Sequence, residues 1–215
     1  MLFKLFIFLR TMNLNYFFIM SKIFVTSDTH FFHENIIKYC NRPFENVEEM
    51  NTILIQNWNK VVSSEDDIYI IGDFALIKGE NHNEKLNRLF NLSNQLNGKK
   101  HLIIGNHDYF EIVDYLKVGF EDVIQGFIDV LLNNHWFTFC HYQMTSWNNS
   151  HRGSMHLFGH EHWRQQYEPK HSIYEEMHWS ERKFNVCVDA NRFTPVNVND
   201  IIRILEKRST NFDKK

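Results

Sequence analysis

Five short clusters of polar residues in this sequence carry the side chains that bind divalent metal ions in proteins. Each cluster follows an apolar run, and together they supply seven candidate ligands: Asp28, His30, Asp73, Asn106, His141, His160 and His162. Carboxylate, imidazole and amide groups suit borderline-to-hard ions such as Mn, Fe or Zn. The residue types therefore predict a metal centre whose ligands are spread over more than half of the chain.

The spacing inside the clusters agrees with this prediction. Two clusters contain a pair of ligands two residues apart, and in an extended loop both members of such a pair can face one ion. Three glycines stand directly before a proposed ligand, and glycine permits the sharp backbone turn that takes a chain out of a strand; they are Gly72, Gly105 and Gly159. We therefore expect the ligands to lie where strands end.

The apolar pattern predicts the elements that position these clusters. Strands are expected at 22–27, 68–71 and 101–104, with helices at 47–62 and 83–96 between them. After Asp108 the pattern predicts mostly strands, at 120–124, 127–132, 136–140, 155–158 and 184–188, and a last helix from Asn197 to Leu205. The polar residues 163–183 are predicted to form a surface excursion. This order favours an α/β domain with a mixed sheet, in which ligands gather at the carboxyl ends of strands.

The five clusters resemble the signature of the calcineurin-like metallophosphoesterase family. In chain order they read D-x-H, G-D, G-N-H-[DE], H and G-H-x-H, with no ligand replaced. The resemblance covers roughly residues 21–208, and residues 26–37 also look like the small bacterial and phage branch of that family. The second cluster departs from the common G-D-x-x-[DE] pattern, since it is Gly72-Asp73-Phe74-Ala75-Leu76, which keeps the ligand. The resemblance implies two packed mixed β-sheets flanked by helices, a four-layer sandwich.

The resemblance also implies a role for each residue. It assigns one divalent ion to Asp28, His30 and His162, and a second to Asn106, His141 and His160, with Asp73 bridging both. His107 would lie beside the substrate, with Asp108 orienting it. The cofactors implied are two divalent ions, manganese first, with iron, zinc or nickel as alternatives. The implied reaction is hydrolysis of a phosphodiester, or less readily a phosphomonoester, by a hydroxide that bridges the two metals.

Several alternatives to these assignments remain open on the sequence alone. A non-catalytic metal-binding scaffold on the same fold is the main alternative function, and a nuclease is a third. His33, Arg42 and Arg152 are weaker candidates for substrate binding, with surface positions or ion pairs as the alternative. The remaining histidines outside the clusters are interpreted as structural: His82, His135, His151, His156, His171 and His178.

Net charge and cysteine content indicate which substrates and which cellular setting to expect. The chain has 215 residues and a net charge of -3, which does not favour general nucleic-acid binding, so we expect a phosphoester substrate such as a nucleotide or small phosphodiester. Its three cysteines, Cys40, Cys140 and Cys187, are far apart and lack a C-x-x-C pair. We therefore expect buried thiols in a reducing, cytoplasmic setting rather than disulfides or a thiolate zinc site.

The domain prediction separates three segments. Residues 1–19 are expected to be an apolar extension upstream of the true start, with a weak membrane-surface anchor as the alternative. Charged and amide residues interrupt this stretch, so no transmembrane span is expected. The phosphoesterase-like domain is predicted at 20–208, followed by a polar tail at 209–215.

Overall fold

The computed structural model describes residues 21–162 and 182–212, with side chains up to 208. Its first sheet has five strands: β1 Ile23–Thr26, β2 Asp67–Ile71, β3 Lys99–Ile103, β4 Phe120–Ile124 and β9 Val196–Asn197. Their order across the sheet is β4-β3-β2-β1-β9. β1 to β4 are parallel, and β9 runs antiparallel to β1. The carboxyl ends of the parallel strands therefore lie along one edge.

Four helices connect these strands and pack on the sheet: α1 Glu34–Tyr39, α2 Val47–Val61, α3 His82–Gln95 and α4 Ile112–Lys117. α2 buries Met50, Leu54 and Trp58, which recur every four residues and so share one face of the helix. Asn46 and Asn81 cap the first residues of α2 and α3, because each side chain accepts a hydrogen bond from a backbone N–H three residues on. The buried faces of these helices form one hydrophobic core with the sheet.

A second sheet of four strands has the order β5-β6-β7-β8, with β5 Phe127–Leu132, β6 His135–Cys140, β7 Met155–Phe158 and β8 Lys183–Asn185. β5 is antiparallel to β6, while β6, β7 and β8 are parallel. A second core joins Val25 and Ile71 of the first sheet to Phe137 and Leu157 of the second. The last helix, α5 Val198–Phe212, contributes to this core. The two sheets are therefore packed face to face.

The predicted fold class is confirmed: an α/β protein with two mixed sheets flanked by helices. Two details differ from the sequence prediction. The short helices α1 and α4 were not predicted. α5 runs to Phe212, beyond the predicted helix end at Leu205. β4 pairs with β3 in parallel, because α4 returns the chain to the edge of the first sheet.

Three predicted segments fall wholly or partly outside the described residues. The extension at 1–19 lies outside them entirely. Of the predicted surface excursion, only Arg182 and Lys183 are described, and Lys183 already begins β8. Of the predicted tail at 209–215, only the backbone of 209–212 is described, as the end of α5. Across the described ranges, no helix combines the length and the apolar character needed to cross a membrane.

Candidate metal centre

The seven predicted ligands follow the ends of five strands, as expected. Asp28 and His30 follow β1, Asp73 follows β2, Asn106 follows β3, His141 follows β6, and His160 and His162 follow β7. β1, β2 and β3 end at one edge of the first sheet, and β6 and β7 end at the facing edge of the second. The ligands converge there although they span 135 positions, Asp28 to His162.

Asp73 lies at the middle of the cluster. Its Oδ2 atom is 3.4 Å from His30 Nε2 and 3.5 Å from His141 Nε2. These two histidines come from the two different sheets, so the Asp73 carboxylate connects both halves of the molecule. Burial alone would raise the pKa of Asp73, but hydrogen bonding and charge from His141, the charge of His30 and the His107 N–H lower it to about 2.

Two groups of three side chains could each hold a metal ion. In the first group, ligand atoms of Asp28, His30 and His162 lie within 4.8 Å of one another. In the second group, those of Asp73, His141 and His160 do the same. The second group contains Asp73, whose carboxylate also approaches His30 of the first group.

Asn106 completes the second group. Its Oδ1 atom is 3.0 Å from His141 Nε2 and 3.0 Å from His160 Nδ1. An amide oxygen at that position can serve as a ligand beside two imidazoles. His141 Nδ1 donates to the backbone oxygen of Ile71 at 2.9 Å, which directs Nε2 toward the cluster.

His30 has the character of a ligand. Its side chain is buried, and Nε2 has no hydrogen-bond partner among the described residues. Buried polar atoms are nearly always paired, so an unpaired imidazole nitrogen that faces carboxylates has the environment of a metal ligand. Burial lowers the pKa of His30 to about 2, which keeps the ring in the neutral form that binds metals. The donor set therefore fits divalent ions.

The backbone at the cluster is tightly constrained. Asp28, Asp73 and His160 have φ values of 55°, 54° and 65°, a left-handed conformation that costs non-glycine residues energy and is common at functional sites. A Cβ atom on Gly159 would lie 2.5 Å from Asp28 Oδ2, and one on Gly72 would overlap the His141 ring. Glycine is needed at both positions because the ligands pack directly against the backbone.

His107 lies at the cluster, but Asp108 does not orient it. The His107 ring centroid is 5.3 Å from that of His30, and His107 Nδ1 contacts the Tyr109 hydroxyl at 3.0 Å. The Asp108 carboxylate instead accepts backbone N–H bonds from Asp73, Phe74 and Gly105 at 2.8–2.9 Å. Asp108 therefore fixes two ligand loops, and burial raises its pKa to about 6. The orienting role predicted for Asp108 is wrong in this geometry.

One relative resembles this chain over most of the length of both proteins. The uncharacterized protein MJ1445 of Methanocaldococcus jannaschii is 37% identical over 188 residues, which cover 87% of this chain and 93% of that protein. The chain belongs to the MJ1445 family. The gene 66 protein of Mycobacterium phage L5 is 33% identical over 91 residues, 41% of each chain. No family model matches the sequence.

Among solved structures, the protein of unknown function AQ665 from Aquifex aeolicus is similar to this member of the MJ1445 family. The TM-score is 0.64 at 22% identity, and the match covers 86% of this chain and 99% of AQ665. At that identity the likeness shows a shared fold. It supports the two-sheet architecture over nearly the full length of AQ665.

Asp189 is a site residue that the sequence analysis of this MJ1445-family chain missed. Its Oδ2 atom is 2.8 Å from His162 Nδ1, and the pair is largely buried. Asp189 follows the apolar residues 186–188, the same signal that marked the other clusters, but no motif accompanies it. Burial would lower the pKa of His162, whereas its hydrogen bonds with the Asp189 carboxylate and with Cys40, and the charge of Asp28, raise it to about 10. A metal ion at His162 must displace that proton.

Arg42 does not fit its predicted role in substrate binding. It is 4% exposed, and its guanidinium donates to both Asp189 carboxylate oxygens at 2.8–2.9 Å. The remaining N–H groups donate to the backbone oxygens of Asp28 and Thr29 and to the Met50 sulfur. All five donors are used within the protein, so none is left for a ligand. The alternative of a surface ion pair is also wrong, because the pair is buried.

The other two substrate-binding candidates lie in different settings. The His33 ring is half-buried, 5.2 Å from the His30 centroid and 6.1 Å from that of His107, so it borders the cluster. Arg152 is exposed at the end of the short 3-10 helix Ser150–Arg152. Cys40, His162 and Asp189 form a further group in which one possible ligand atom of each residue lies within 4.8 Å of the others. Cys40 is the thiol of this group.

Proposed function

We propose that this protein is a metal-dependent phosphoesterase that hydrolyses phosphodiesters in preference to monoesters. The observation that carries the proposal is the position of Asp73 between histidines of both sheets, 3.4 Å from His30 and 3.5 Å from His141. A carboxylate shared by two ligand groups suits two neighbouring divalent ions. We assign the first ion to Asp28, His30 and His162, the second to Asn106, His141 and His160, and Asp73 to both. Manganese is the first ion to test, followed by iron, zinc and nickel.

Bound divalent ions would polarise the phosphoryl oxygens and lower the pKa of a coordinated water. The side chains of this site would orient the phosphate through the buried ligand cluster and direct its leaving oxygen toward His107. In a protonated His107, Nδ1–H donates to the Tyr109 oxygen, and Nε2–H can donate to the leaving oxygen.

The reaction is balanced by water. The water oxygen bonds to phosphorus as the ester P–O bond breaks, and the leaving oxygen takes the His107 Nε2 proton. The proton that water loses is released to solvent, and His107 takes up a proton from solvent, so that the protons balance over one turnover. The products of a diester are a monoester and an alcohol.

The test is hydrolysis of bis-p-nitrophenyl phosphate by the full chain with added Mn²⁺. Asp73→Asn is expected to reduce the rate to near the blank, and His107→Ala to lower kcat by about 10²–10⁴-fold. His135→Ala is the matched control, because His135 begins β6 and His141 follows the end of that strand, six positions along and roughly 20 Å away. Its rate is expected to equal the wild-type rate.

The outcome also decides between the catalytic and the scaffold function. Metal binding that depends on Asp73, together with no turnover of diesters or monoesters with Mn²⁺, Fe²⁺, Zn²⁺ or Ni²⁺, would favour a non-catalytic metal-binding scaffold. A monoester rate above the diester rate would contradict the proposed preference alone.

A further inference from the structure

A groove opens beside the metal cluster, between the segment after β2 and the start of α4. Its volume is about 530 Å³, within the roughly 300–1,000 Å³ range of small-molecule sites. Ala75, two residues after Asp73, and Tyr109, two residues after His107, both line it. The groove is therefore bordered by two of the loops that build the cluster.

Tyr109 connects the groove to the cluster. Its hydroxyl is 3.0 Å from His107 Nδ1, while its side chain is 67% exposed. Contact with His107 restrains the hydroxyl end and leaves the ring open to a flat partner. Exposed aromatic rings beside a phosphate site commonly stack nucleobases, because every base has a π-face.

Two lysines supply positive charge to the same groove. Lys78 is exposed and Lys85 is half-buried, and both line the groove. Neither forms an ion pair within residues 21–162 and 182–212. The backbone of Lys78 is held in place, since Arg88 donates to its oxygen at 2.5 Å.

The groove is not basic along its whole length. Glu111 and Asp114 also line it, and Asp114 Oδ2 is 3.4 Å from His82 Nε2. A long polyanion would meet these carboxylates, whereas a ligand with one base and one or two phosphates needs only Tyr109 and the lysines. This charge distribution favours a small nucleotide over a nucleic-acid strand.

We propose that this groove binds the nucleoside portion of a nucleotidyl phosphoester, with its base stacked on Tyr109 and a further phosphate beside Lys78 and Lys85. The inference rests on the proposed function, because the scissile phosphate would lie at the metal cluster. It assigns a substrate class to a surface outside the metal ligands.

Calorimetric binding to the full chain with Mn²⁺ tests the base subsite. Adenosine 5′-monophosphate is expected to bind about tenfold tighter than inorganic phosphate, the contribution of one stacked base. Tyr109→Ala should remove this gain, so that adenosine 5′-monophosphate binds this variant no tighter than phosphate does. Tyr109→Phe should keep it, because stacking needs the ring and not the hydroxyl. Phe90→Ala, an exposed aromatic residue of α3 outside the groove lining, is the matched control and should bind as wild type.

The lysines are tested with adenosine 3′,5′-bisphosphate. It should bind roughly fivefold tighter than the monophosphate, and the double variant Lys78→Ala/Lys85→Ala should lose this gain while Lys60→Ala, on α2, keeps it. Equal affinity for adenosine monophosphate and phosphate, or a Tyr109→Ala variant that binds as wild type, overturns the nucleoside site. If bis-p-nitrophenyl phosphate is still hydrolysed in an Asp73-dependent way, the proposed function survives that result. Absence of both hydrolysis and phosphate binding refutes the proposed function and this inference together.

Discussion

His162 Nδ1 lies 2.8 Å from Asp189 Oδ2, and this contact determines which nitrogen of the imidazole faces the metal cluster. With Nδ1–H donating to Asp189, Nε2 points toward Asp28, whose Oδ1 atom is 3.7 Å away. Carboxylates that orient metal-binding histidines typically contribute 10–100-fold to metal affinity. Asp189 is therefore a positioning residue for the first ligand group.

Asp189→Asn is expected to weaken Mn²⁺ binding at the ligand group that contains His162 by about 10–100-fold, because the amide neither accepts as strongly nor carries charge. Metal content after dialysis against graded Mn²⁺ measures this. The matched control is Asp122→Asn, since Asp122 makes the same 2.8 Å contact with His101 Nδ1 at an exposed position. Unchanged metal affinity in Asp189→Asn would contradict the positioning role.

Arg42→Ala is expected to lower the free energy of unfolding by about 3–5 kcal/mol, the cost of leaving a buried carboxylate without its partner. Arg42 and Asp189 are both fully buried in their side chains, and Arg42 also holds the backbone oxygens of Asp28 and Thr29. Urea unfolding measures the change. Arg203→Ala, which removes an exposed ion pair with Asp200, should cost at most about 1 kcal/mol. Equal losses in the two variants would count against the buried network.

Gly72→Ala is expected to lose metal binding as well as stability. The new Cβ would meet the His141 ring and the Gly105 backbone, so a ligand must move. Gly126→Ala separates this overlap from backbone strain: Gly126 has φ 90°, close to the 84° of Gly72, but its Cβ would have nothing within 4 Å. The control should lose about 1 kcal/mol of stability and retain its metal. The idea fails if Gly72→Ala binds Mn²⁺ as tightly as Gly126→Ala does.

The sequence was sufficient to predict that the seven candidate ligands lie close together. Each of them follows an apolar strand, and parallel strands bring their ends to one edge of a sheet. The same reasoning could not find Asp189, whose role depends on pairing with His162, 27 positions away. It also misassigned Asp108 and Arg42. A carboxylate beside a histidine in sequence need not face it in space, and the partners of a guanidinium are decided by the packing of distant loops.

His156 should make the stability of this protein depend on pH outside the metal cluster. It is fully buried, its Nε2 accepts from the Met144 N–H at 3.0 Å, and its Nδ1 donates to Thr138 O at 3.0 Å. Both nitrogens are satisfied only in the neutral ring. Burial, and then the charge of Lys183, lower the pKa of His156 to about 4.

An unfolded chain binds a proton at His156 near its ordinary pKa of 6.5, whereas the folded chain does not until about pH 4. Between these values the unfolded state holds more protons, so lowering the pH favours unfolding by up to about 1.4 kcal/mol per pH unit. The stabilisation is complete above pH 6.5 and is lost as the pH falls toward 4. Urea unfolding of metal-free protein at pH 7.5, 6.5, 5.5 and 4.5 should show a shallower decline in His156→Gln than in wild type. His135→Gln is the control, since His135 is a half-exposed histidine that pairs with Glu206. This variant retains His156, so the part of the decline that His156 causes should be the same as in wild type. Equal declines in wild type and in His156→Gln would contradict this prediction. They would mean that His156 binds its proton equally well in the folded and the unfolded chain, although Nε2 of the folded chain accepts the Met144 N–H.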